Sequence, residues 1–78
     1  MRLLNCDDDR TVSRLAMLLT VSEASELRDS LEALLGAGGG HEHVSSADFT
    51  KEITVAVYDI SNLESFGERF KRLVREDR

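Results

Sequence analysis

The chain of 78 residues has a single cysteine, Cys6. No disulfide can close within it, and a lone thiol fits a reducing compartment better than a secreted, cross-linked scaffold. It has no run approaching the ~20 apolar residues of a membrane-spanning helix. Met1–Cys6 is too short for the apolar core of a secretion leader. These absences predict a cytoplasmic chain with no membrane association. An excess of positive charge is missing as well, since the formal net charge is −5 and the pI about 4.9. That argues against sequence-independent nucleic-acid binding, which needs a field that displaces counterions from phosphates. The chain has no GxSxG, no Walker loop and no GxGxxG. A domain this small does not easily enclose a pocket of several hundred cubic ångströms. The expectation is a single domain over residues 1–78 that is not an enzyme and carries no cofactor.

What is present is concentrated in Arg14–Leu35. Leu15-Ala16-Met17-Leu18-Leu19 is apolar at every position, so it reads as a strand with no natural water face. Thr20-Val21-Ser22-Glu23 then spells a capping box, and Val21, Ala24, Leu27, Leu31, Leu34 and Leu35 recur at helical spacing. A first helix is expected over Val21–Leu35, with Arg28 and Glu32 as an i,i+4 pair and Gly36 ending it in the left-handed conformation.

Taken in order, Arg2–Cys6 is a short candidate strand, and Asp7–Thr11 is a polar turn of residues that bond their own backbone. With the strand at 14–19 this makes a hairpin. The acidic triplet lacks the spacing, glycine and distal glutamate of a calcium loop. Gly36–Gly40 follows a helix and leads into a strand, the reverse of a phosphate-binding loop, so it predicts a flexible connection. A third strand is expected near His41–Ser46. A turn follows at Ser46–Asp48, and a fourth strand lies within Phe49–Tyr58, where Ile53, Val55 and Val57 alternate with Glu52, Thr54, Ala56 and Tyr58. A second helix is expected over Ile60–Val74, capped by Asp59 or by Ser61 with Glu64. Its stripe is Leu63, Phe66, Phe70, Leu73 and Val74, with Gly67 on the same side.

Sliding the chain by 39 residues superposes the two helices, Val21 on Ile60 and Leu35 on Val74. The expected fold is therefore α+β, ββαββα, with pseudo-two-fold halves over 1–39 and 40–78. Its four-stranded antiparallel sheet would carry both helices on one face. In that register Leu15, Met17, Leu19, Thr54, Ala56 and Tyr58 share the helix-free face. An uncovered sheet alternates apolar with polar, and a contiguous apolar patch marks an interface. The chain is thus expected to be an interaction or regulatory module with a protein partner, in the simplest case a homodimer.

Three further constellations bear on chemistry. His41 and His43 fall on one face of an extended strand, and with Cys6 or a carboxylate they form a metal-ligand set. With the Gly36–Gly40 loop they supply the alternative reading, a small-ligand or metal-binding domain. Cys6 with either histidine can be written as a thiol–imidazole pair, with no third residue to orient it. Arg69, Lys71, Arg72, Arg75 and Arg78 hold half of the basic residues and read as an anion patch, or as charges that complement the helix dipole.

Overall fold

A computed structural model describes residues 1–76. The chain runs β1 (Leu4–Asn5), β2 (Arg10–Thr11), α1 (Val21–Ala37), β3 (Gly40–Ser45), β4 (Glu52–Val57), a 3₁₀ turn (Leu63–Ser65) and α2 (Glu68–Glu76). These elements fall into two compact units. Leu18–Asn62 forms one, with α1, β3 and β4. Met1–Met17 and the segment from Leu63 form the other, with β1, β2 and α2.

The strands make two separate two-stranded antiparallel sheets, β1–β2 and β3–β4. This overturns the single four-stranded sheet expected from the sequence, and the chain is instead a small α+β protein with one hairpin in each unit. The cause lies in the first hairpin. Leu4 pairs with Thr11 and Asn5 with Arg10. The turn between them is tight because Asn5 Oδ1 accepts from Asp7 N–H (2.9 Å) and Asp8 Oδ1 from Arg10 N–H (3.0 Å). Asp9 completes it at φ 60°, a conformation that aspartate tolerates. In this register Met1 stands opposite Arg14, so Leu15–Leu19 lie beyond the paired stretch. Those five residues include no β-branched side chain, which removes the usual local bias toward a strand. The expected strand over 14–19 is absent.

In the other unit α1 begins as the sequence predicts. Thr20 Oγ1 accepts from Glu23 N–H (3.1 Å), and Glu23 Oε1 accepts from Thr20 N–H (2.9 Å). The helix ends later than expected. Gly36 stays helical, and Gly38 takes the left-handed φ of 79°. Gly39 N–H then donates to Leu34 C=O (3.0 Å). Gly39 and Gly40 also have positive φ, 132° and 113°. A side chain on Gly39 would come within 2.1 Å of Asn62 Nδ2. The glycine segment is therefore a tight, specific turn from α1 into β3. Arg28 pairs with the neighbouring Asp29 (3.1 Å), where Glu32 was expected.

The second helix is shorter than Ile60–Val74. Asp59 Oδ1 accepts from Asn62 N–H (3.0 Å) and from the Ser61 hydroxyl (2.5 Å), holding that stretch in a turn. Gly67 C=O accepts from Phe70 N–H and Lys71 N–H, so Gly67 opens α2 and is not interior to it. Glycine's cost inside a helix is thereby avoided.

Candidate functional site

The pairing of β3 with β4 sets Val44 opposite Ile53, Glu42 opposite Val55 and Gly40 opposite Val57. Paired residues share a face. This face carries Val44, 5% exposed, and a side chain on Gly40 would touch Leu34 Cδ2 at 3.7 Å. It is the face that α1 covers. α1 turns toward it the row Glu23, Leu27, Ser30 and Leu34, of which Leu34 is 3% exposed and the rest half-buried. Leu34 and Val44 are the buried apolar side chains of the described residues.

Glu23 does more than cap the helix. Its Oε2 accepts from Ala47 N–H (3.1 Å), tying the start of α1 to the β3–β4 loop. The main-chain donors of Thr20 and Ala47 hold its carboxyl below the usual range. In the same loop Asp48 accepts from the hydroxyls of Ser46 (2.6 Å) and Thr50 (2.7 Å), which also lower its pKa. The loop is therefore anchored at the N-terminal end of α1, and the glycine turn holds the C-terminal end.

The stripe that recurs at helical spacing splits into two rows, and the second is solvent-exposed. Val21 is 86% exposed, Leu31 38% and Leu35 70%. With exposed Ala24 and Arg28 these lie at helical spacing along one flank, about 110° round from the buried row. The signal was legible in hindsight: Leu34 and Leu35 point about 100° apart, so one contact cannot bury both.

Of the residues expected at an interface, Leu15 and Met17 are exposed, belong to the unit of the Leu4–Thr11 hairpin and lie in no strand. Half-buried Leu19 is in the other unit, just before α1. Thr54 and exposed Ala56 stand on the β4 face turned away from α1, and exposed Tyr58 follows the strand. That outer face is polar. His41 and His43 meet edge to face with centroids 5.4 Å apart. His43 Nδ1 lies 2.7 Å from Glu52 Oε1 and 3.0 Å from Thr54 Oγ1.

Cys6 is exposed and belongs to the other unit from the histidines. Among the described residues no group of three His, Cys, Asp or Glu side chains is placed to hold a metal ion. The basic residues of α2 are mostly committed to acids. Arg69 bonds Asp9 and the Cys6 carbonyl. Lys71 sits 2.8 Å from Glu68 and Arg75 2.8 Å from Glu64. The bond to Glu68 raises the pKa of Lys71. Arg72 faces a groove that it shares with Arg69, Asp9, Glu76, Leu4 and Leu73, where the two charge signs balance. Arg78 lies outside the described residues. Among those residues no helix is long and apolar enough to cross a membrane. No protein family, curated protein or solved structure matches this chain.

Proposed function

We propose that the chain is a non-catalytic interaction module that self-associates, with the apolar flank of α1 covered by a second copy. The flank itself carries this reading: exposed Leu31 and Leu35 adjoin near the end of α1, with Val21 and Ala24 on the same flank beyond Arg28, on a helix whose other row is already packed. Contiguous apolar surface on a small protein marks an interface. Association also answers an energetic problem, because a chain of this length with so few buried side chains has little to set against its conformational entropy. Exposed Cys6 suits a reducing, intracellular setting.

Light scattering at tens of micromolar tests it. The expected mass is that of a dimer, and Leu35→Glu is expected to return a monomer with its helical circular dichroism intact. A monomeric natural chain at that concentration would refute the proposal.

A further inference from the structure

The β3–β4 sheet has two strands and so two open edges. A lone hairpin is marginally stable, and an open edge is a template for another strand. Which main-chain groups face outward on β4 follows from the ladder. Ser46 N–H donates to Lys51 C=O (2.9 Å), making that pair a hydrogen-bonded one. Antiparallel pairs alternate. Ile53, Val55 and Val57 therefore bond toward β3, and the N–H and C=O groups of Glu52, Thr54 and Ala56 point out. The chain contains no proline to block such an edge.

We infer that β4 pairs antiparallel with β4 of a second copy, centred on Val55, in the continuous order β3-β4-β4-β3. This rests on the self-association proposed above and names its geometry. Around that centre Thr54 stands opposite Ala56 of the second copy, Ile53 opposite Val57, and Glu52 opposite Tyr58. Lys51 then meets Asp59 of the second copy, an opposite-charge pair made twice by the two-fold axis. Shifting the centre to Thr54 sets Lys51 against Val57. Shifting it to Ala56 sets Ile53 against Asp59. Of these three centres only the Val55 one sets Lys51 against an opposite charge while pairing Ile53 with Val57. The edge of β3 is poorer: it centres on Glu42 against itself or His43 against itself, and it has one β-branched residue where β4 has four.

The handedness of the unit agrees. Seen from α1 with β3 running upward, L-residues whose side chains face the viewer point their N–H and C=O groups right, so β4 lies on the right. α1 runs downward, from the loop at Ala47 to the glycine turn. A right-handed helix in that direction turns its Val21–Leu35 row to the right as well. The apolar flank thus lies on the β4 side of α1. A two-fold axis through Val55 brings the two flanks face to face on the same side of the joined sheet.

Disulfide trapping in the full chain, with Cys6→Ser as background, tests the register. Val55→Cys sits at a non-hydrogen-bonded pair across the axis, where Cα atoms approach within about 4.5 Å, a distance a disulfide spans. It is expected to give a covalent dimer on mild oxidation, and Ile53→Cys is expected to give none. Lys51→Glu is expected to weaken association about tenfold, and Lys51→Ala by less. If the natural chain is a dimer by light scattering but Ile53→Cys links and Val55→Cys does not, this register is wrong and the module reading stands. The same holds if the charge variants leave the dimer's affinity unchanged. If the natural chain is monomeric, both readings fall.

Discussion

The hairpin over Leu4–Thr11 pairs two residues from each strand, and the hairpin over Gly40–Val57 pairs six. Both turn through loops in which an aspartate bonds its own backbone, so turn chemistry does not separate them. What separates them is the covering surface. The longer hairpin presents Val44, Ile53, Val55 and Val57 to α1, and the buried side chains Leu34 and Val44 lie there. The shorter one is tied to its helix by polar contacts: Arg69 to Asp9 and the Cys6 carbonyl, and Arg2 Nε to the Val74 carbonyl at 3.4 Å. The fully buried side chains belong to one unit, whereas the other combines half-buried apolar residues such as Leu4, Phe66, Phe70 and Leu73 with these polar ties. Ladder length follows the fuller burial, because a strand needs a packed face before its main-chain pairing is worth the lost chain entropy.

This contrast can be broken from either side. Leu34→Ala is expected to cost about 2–5 kcal/mol in urea unfolding, and Leu31→Ala clearly less, since Leu31 is partly solvated. Equal losses would show that α1 has no distinct buried row. Gly39→Ala is expected to cost more than about 1 kcal/mol, because φ is 132° and the added carbon meets Asn62. A neutral effect would mean that the turn yields. Thr20→Ala is expected to cost about 1 kcal/mol through the lost cap.

The response to pH sharpens the same comparison. Glu23, Asp48 and Asp59, all in the α1–β3–β4 unit, are held below their ordinary values of 4.5, 3.8 and 3.8. Their stabilisation is complete above those values and is lost as pH falls from there through the folded ones. Lys71 in α2 is raised above 10.5, so its contribution is complete below 10.5 and is lost as pH rises through the folded value. Protection of amides relative to their intrinsic, base-catalysed exchange rates is therefore expected to fall in α2 first under alkali, with that of β3–β4 retained. The smallest effect is that of salt. Near 1 M, where screening acts within about 3 Å, exchange is expected to rise modestly in α2 and not in β3–β4. A uniform response across both units would remove the distinction drawn here.

Local chemistry was legible in the residues. The Thr20–Glu23 capping box, the acidic turn after Asn5 and the β3–β4 hairpin each depend on neighbours within a few positions, whereas the left-handed glycine that ends α1 is Gly38 and not the expected Gly36. Gly67 was legible as an anomaly, and its place at the head of α2 resolves the anomaly. The run Leu15–Leu19 misled because apolarity alone does not distinguish a strand from a connecting segment. Its role depended on the register of the first hairpin, which the Asp7–Asp9 turn decided. The candidate site was harder to see. Val21, Leu31 and Leu35 have the same spacing as core residues, and periodicity does not say which flank of a broad apolar arc meets the sheet.

The sequence by itself determined where α1 begins, through its capping box, and where the Asp7–Asp9 and Ser46–Asp48 turns lie, because caps and self-bonding aspartates act through bonds between near neighbours. It placed the start of α2 eight residues too early. Only the tertiary structure decided that the hairpins belong to separate sheets, that α1 packs through Leu27 and Leu34, and that its Val21–Leu35 flank stays open. Those outcomes depend on strand register and helix rotation. The Asp7–Asp9 turn fixes the register of the first hairpin, but the rotation of α1 is set by which distant surfaces bury each other, and no local pattern encodes that choice.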